Sequence, residues 1–248
     1  MRRFFVSEMD ERAEALARER NLGLELIAFC DAQRLEDEKF IRAQAARLAG
    51  LADRALHAPY FELAPCAIDP MIRAVALHRM RQAARACARL GVKRMIVHSG
   101  CAPQVYFPEW FVPKSVEFWR GFLRELPGDF ELMVENVLDV GPEPLRAVID
   151  AVGDSRLGIC LDVGHANVYS DVPVETWIEA LGARIGHVHL HNNSGARDEH
   201  APLGVGSMDV RRVLMKLDLC APEAAISIES MDAAACLREL SDGGYGLL

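Results

Sequence analysis

Short apolar runs recur along the whole chain, each followed by a polar loop and then by apolar positions spaced three and four apart. The runs begin near Arg3, Leu24, Arg54, Val92, Phe130, Leu157, Gly186 and Ala225. Such a run reads as a strand, and the spacing behind it as a helix. Strands alternating with helices build a parallel sheet. Eight of them in one chain predict an α/β fold, a single (β/α)8 TIM barrel occupying residues 1–248 as one domain. Local signals place the helix starts. Ser7 with Asp10 predicts a capping box before the first helix, and Asp69-Pro70 an N-cap with proline at the first helical position. Behind it Ile72, Ala76, Met80, Ala83, Cys87 and Leu90 share one stripe, which Gly91 ends. Arg81, Arg85 and Arg89 fall on another face, read as a solvated outer surface rather than a phosphate-binding stripe. Pro142 and Pro144 open the fifth helix, and Val172-Pro173 leads into the sixth.

Composition narrows the class. A chain of 248 residues, 51% hydrophobic and 26% charged, can bury the core a barrel needs. No apolar run approaches the ~18 residues of a membrane span, and Phe4-Phe5-Val6 is too short for a signal-peptide core. A cytoplasmic protein with no membrane partner is therefore expected. The seven cysteines are widely spaced without a Cys-x-x-Cys pair, which points to neither a disulfide framework nor a zinc ribbon. The net charge of −8 weighs against gripping a long DNA backbone, although a local basic patch would escape that count. A small substrate is favoured.

Candidate chemistry gathers at the predicted strand ends, where barrels of this kind place their sites. Residues 185–209 hold four of the eight histidines; Val188 and Leu190 fall on one side of an extended chain and His187, His189 and His191 on the other. The third strand ends in His57 and Tyr60, the fourth in His98, the fifth in Glu135, the sixth in Asp162 and His165. The seventh carries His189, with Asp198 and His200 beyond it, and the eighth ends in Glu229. Parity agrees: Glu135 is in phase with Met133, and Asp162 with Gly158 and Cys160. Glu131 and Arg94 share the inner phase lower down and are expected to pair at the barrel floor. A lone strand-end histidine is usually a plain hydrogen-bonder, but six consecutive strands aiming metal-capable groups at one rim point to a metal site. Imidazole mixed with carboxylate suits Zn, Mn, Co or Fe better than Mg or Ca, and nine such residues would serve two or three ions with a bridging carboxylate. Tyr60, Trp110 in the aromatic loop 100–113, and the turn glycines Gly204 and Gly206 are candidate substrate contacts; the loop either walls the pocket or packs against the neighbouring helix, and the glycines read first as a plain turn and second as a phosphate site.

The segments ENV (135–137), LDVGH (161–165), HVHLHNN (187–193) and DEHAPLGVG (198–206) resemble the xylose isomerase-like TIM-barrel superfamily over nearly the whole chain. That group includes sugar-phosphate isomerases and epimerases and the endonuclease IV type of AP endonuclease. The resemblance to its single-metal isomerases implies ligands Glu135, Asp162, His189 and Glu229, with Glu135 and Glu229 as acid and base on a ketose and His165 touching substrate. The ketose epimerases carry an arginine shortly after the seventh-strand histidine; here Asn193-Ser194-Gly195 stands there, and Arg197 comes two residues late. The resemblance to the endonuclease IV type implies three zinc ions: one on His57, His98 and a bridging Glu135, one on Glu135, Asp162, His189 and Glu229, one on His165, Asp198 and His200. The charge and residues 60–65, which lack basic character, weigh against DNA. The leading expectation is therefore an enzyme using one to three divalent ions, Zn or Mn first, to isomerise or epimerise a small sugar or sugar phosphate. The alternative is a trinuclear zinc phosphodiesterase. A barrel that binds a metal-chelating ligand without turnover is the weakest of the three.

Overall fold

A computed structural model describes residues 2–244. The strands are β1 (Phe4–Ser7), β2 (Gly23–Leu26), β3 (Arg54–His57), β4 (Arg94–His98), β5 (Glu131–Glu135), β6 (Leu157–Asp162), β7 (Ile185–Leu190) and β8 (Ala225–Ile228). They pair in parallel in sequence order, and β1 pairs with β8 to close the barrel. The helices are α1 (Ala13–Glu19), α2 (Glu38–Arg47), α3 (Pro70–Leu90), α4 (Pro108–Leu123), α5 (Glu143–Val152), α6 (Val163–Tyr169), α7 (Val174–Leu181), α8 (Val210–Cys220) and α9 (Ala233–Asp242). The expected (β/α)8 architecture is the observed one. Among the described residues no helix is long and apolar enough to cross a membrane.

Strand parity sorts the core into two layers. Outward residues such as Leu56, Val97, Leu132, Val134, Leu161 and Val188 pack under the helices. Phe5, Ala55, Ile96, Met133, Cys160 and Ala225 fill the barrel interior. Bulk there is shared out: a Cβ on Gly23 would lie 2.3 Å from the Phe5 ring, and one on Gly186 would lie 2.7 Å from Met133 Sδ. Below this layer Arg94 pairs with Glu131 at 2.7 Å, the expected ion pair of the floor.

The helix signals hold in part. Asp69 caps α3 by accepting from the Met71 amide at 2.7 Å, and Gly91 ends it in the left-handed conformation at φ 66°. Ile72, first of the stripe, is half-exposed. Arg81 and Arg89 pair outward with Glu125 and Glu38. The Ser7/Asp10 capping box is not formed. Ser7 ends β1, α1 starts only at Ala13, and the Asp10 carboxylate accepts from the amides of Arg12 and Ala233, tying the first unit to the last. Two helices follow β6, so Val172-Pro173 leads into the second of them. The aromatic loop ends at Phe107. Trp110 and Phe111 belong to the first turn of α4, Phe111 buried and Trp110 exposed.

Candidate metal centre

Register brings the strand ends level. His98 stands beside Glu135 and Asp162 beside His189 in neighbouring strands. Among the described residues five ligand groups result, each with its candidate atoms within 4.8 Å of one another; three of them gather the nine expected residues: His57, His98 and Glu135; Glu135, Asp162, His189 and Glu229; His165, Asp198 and His200. Glu135 joins the first two. Its Oε2 lies 3.0 Å from His57 Nε2 and 3.3 Å from His98 Nε2, and its Oε1 lies 3.1 Å from His189 Nδ1. In the third group Asp198 Oδ2 lies 3.2 Å from His165 Nε2 and 3.0 Å from His200 Nε2.

The imidazoles are oriented from behind. The Nδ1 atoms of His57, His165 and His200 donate to the backbone carbonyls of Ala58, Asn136 and Glu229 at 2.9, 2.9 and 3.0 Å. Each ring thereby turns a bare Nε2 toward its group, the form a metal requires. His200 does so from a left-handed backbone, φ 47°, after the pairing of Asn192 with Ala201 has turned the loop inward. Asp162 has two uses: its Oδ1 caps α6 by accepting from the His165 amide at 2.7 Å, and Oδ2 faces the central group. Asn136 clamps β5 to β6 through both its amide atoms and the Asp162 backbone.

The donor set fits divalent cations on three counts. It is imidazole and carboxylate, the mixture such ions take. Asp198 Oδ1 and His191 Nδ1 are buried with no hydrogen-bond partner. The field also demands positive charge. Burial opposes charge on His165, yet Asp162, Asp198 and Glu135 override it and raise the imidazole to about 10. His200, opposed likewise by burial, is raised to about 9 by Asp198, Glu229 and Asp162. Glu135 and Asp162 stay ionised despite burial because imidazoles surround them. A divalent ion answers the same demand that protons otherwise meet. Burial leaves His98 neutral, pushed down to about 3.

A cavity of about 330 Å³ opens over the centre, lined by Met9, Ile27, Cys30, Tyr60, Val137 and Tyr169 above the ligand residues. Tyr60 stacks on His98 with ring centroids 4.2 Å apart. A larger hollow of about 740 Å³ lies at the opposite, N-terminal face around Arg94 and Glu131, away from the ligand groups. The three other candidate contacts lie outside the cavity lining. Trp110 packs edge-on against Phe107 at the rim. The Gly204 amide donates to Glu239 at 2.6 Å, and Gly206 packs so closely on Asn192 that a Cβ would fall 2.2 Å from its Oδ1.

Two residues outside the expected set are drawn in. Glu25, fully buried on β2, accepts from His189 Nε2 at 2.9 Å. His191 Nε2 lies 3.2 Å from Asp162 Oδ1. The His191 ring occupies the space a side chain at Gly164 would take: a Cβ there would sit 1.9 Å from His191 Cε1. Gly164→Ala should therefore destabilise the fold by about 3 kcal/mol in thermal unfolding, although alanine is the better helix former. A neutral result would mean that the ring has room to leave the site.

The sequence pattern of the xylose isomerase-like TIM barrel matches residues 16–239. The chain belongs to that family. A probable endonuclease 4 of Mycobacterium ulcerans is 30% identical over 203 residues, 74% of this chain and 77% of that protein. An uncharacterised protein of Methanocaldococcus jannaschii is 29% identical over 188 residues, covering 71% of this chain and 63% of that relative's length. Among solved structures, a Thermus thermophilus protein soaked with ZnCl2 superposes with TM-score 0.82 at 27% identity, covering 98% of each chain. A D-tagatose 3-epimerase-like protein also reaches 0.82, at 24% identity, covering 100% of this chain and 98% of its own.

Proposed function

We propose that this family member is a metal-dependent hydrolase of phosphate esters that uses a trinuclear centre of the endonuclease IV type on a small substrate. The observation that carries this reading is the convergence of all nine candidate residues in three groups: Glu135 joins the first two, and His165, Asp198 and His200 form a third that a single-metal enzyme would not need. Bound divalent ions would supply an activated water and offset charge on the phosphoryl oxygens. The chain's own groups do the rest. Glu135 and Glu229 reach the cavity and can hold the proton released by the attacking water. Tyr60 and Tyr169 wall the substrate, and Met9, Ile27 and Val137 exclude bulk water. No lysine or arginine is among the lining residues, so an anionic group must be held by the cations themselves, and a long DNA backbone finds little grip.

The same lining supports a second reading, in which a small neutral sugar is isomerised or epimerised. Glu135 and Glu229 both approach His189 Nδ1, at 3.1 and 3.0 Å, and could pass a proton between neighbouring carbons from the two sides of the central group. Elemental analysis of protein reconstituted with zinc should give about three ions per chain. Assays on bis(p-nitrophenyl) phosphate, a panel of sugar phosphates and an abasic-site duplex should show phosphoester cleavage that Asp198→Ala abolishes. One ion per chain, with ketose conversion that survives Asp198→Ala, would overturn the hydrolase in favour of the isomerase.

A further inference from the structure

His189 differs from the other imidazoles of the centre. His57, His165 and His200 rest on backbone carbonyls; it rests on a carboxylate. Its Nε2 lies 2.9 Å from Glu25 Oε1, and both side chains are wholly buried. An ionised carboxylate only accepts, so Nε2 carries the hydrogen and Nδ1 is the bare atom of the neutral ring. That bare atom faces Glu135 Oε1 at 3.1 Å and Glu229 Oε2 at 3.0 Å. A lone pair facing two carboxylate oxygens is repelled unless a positive charge stands between them.

What fixes Glu25 can be followed to the barrel floor. Its Oε2 accepts from the Ser227 hydroxyl and from His187 Nε2, the latter at 3.2 Å. His187 Nδ1 accepts from Arg94 Nη1 at 3.0 Å, which leaves Nε2 as that ring's donor. Arg94 is held by Glu131 at 2.7 Å and donates to the Gly186 carbonyl at 2.7 Å. Each donor meets an acceptor, and the alternation of donor and acceptor admits one tautomer at each ring.

We propose that Glu25 is a positioning residue for the cation centre: held by Ser227 and the Arg94–His187 chain, it fixes His189 in the Nε2–H tautomer and turns an electron-rich Nδ1 on the ion shared by Asp162, Glu135 and Glu229. A carboxylate behind an imidazole makes it a stronger ligand than a carbonyl does. His189 is thus the anchoring ligand of the central group. Sequence supplies Glu25 in the inner phase of an otherwise apolar strand, where nothing but a paired role keeps a carboxylate. The proposal rests on His189 binding a cation, which both readings of the function share, and not on which reaction follows.

The test is zinc affinity by competition with a chromophoric chelator, for wild type, Glu25→Gln and Ser227→Ala, beside thermal unfolding of each metal-free protein. Glu25→Gln should bind about 10- to 100-fold more weakly, while Ser227→Ala, which keeps the carboxylate, loses less than Glu25→Gln. Glu25→Gln that folds and binds zinc as wild type does would overturn the proposal and leave the metal centre standing. Wild type that binds no zinc would instead remove the metal centre itself. If Glu25→Gln does not fold, nitrogen-15 spectra of the zinc-loaded wild type decide: a proton on His189 Nε2 is expected, and one on Nδ1 overturns the assignment.

Discussion

Glu135→Gln should lower kcat/KM by about a thousandfold or more, a loss of roughly 4 kcal/mol in transition-state stabilisation. The same change should remove at least one ion per chain. One oxygen of Glu135 serves His57 and His98, and the other serves His189. An amide is nearly isosteric but offers a single acceptor oxygen, and its NH2 is no ligand. Whichever way the amide turns, one of the two groups loses its carboxylate. The fold should survive, since Met133, Val134 and the β4 and β6 pairings that place the residue are unchanged. Metal analysis beside the assay is the measurement. Full stoichiometry with full rate would remove Glu135 from the bridging position, and both functional readings with it. Loss of rate with all ions retained would instead make the residue an acid or base alone.

The barrel was legible because its strands are separated by helices with clear stops, such as Gly91 and the prolines before α5. The candidate ligands were legible because one rule, inward phase at a strand's carboxyl end, selects Glu135, Asp162, His189 and Glu229 without reference to partners. The residues that escaped show where the rule stops. Glu25 sits one layer below the rim, so strand-end inspection passes over it; its signal was a carboxylate between Leu24 and Leu26 in a strand otherwise apolar. His191 stands just past β7, and its place depends on the absent side chain of Gly164, a contact between segments that no local pattern announces. Helix α6 lacked an apolar stripe because Asp162 and His165 use its first turn for the site. Trp110 was placed by the habits of aromatic loops, whereas Pro108 had already begun the helix that carries it to the rim. Gly204 and Gly206 serve as a plain turn, the reading weighed against a phosphate site: one amide is taken by Glu239 and the other glycine is required by Asn192.

Removing metal with a chelator should abolish turnover and also make the fold sensitive to alkali. His165 and His200, raised to about 10 and 9 in the metal-free site, have ordinary values near 6.5 when unfolded. A pKa raised by folding contributes stability that is fully present below about 6.5 and lost as pH rises through the folded value. The chelated protein should therefore lose melting temperature between about pH 7 and 10, on the order of 10 °C for a few kcal/mol in a chain of this size. At the other end, Glu135, Asp162 and Asp198 are depressed, so their contribution is present above the ordinary carboxylate range and lost in acid as they protonate. Metal changes the alkaline side alone in sign. Ions require neutral imidazoles, so zinc affinity should climb with pH over the interval in which the chelated protein weakens. Thermal unfolding at pH 6.5, 8 and 9.5, with and without chelator, should give curves that diverge as pH rises. Parallel curves would mean that His165 and His200 carry no extra protons in the metal-free state, and that the carboxylates around them are too well screened to draw a cation.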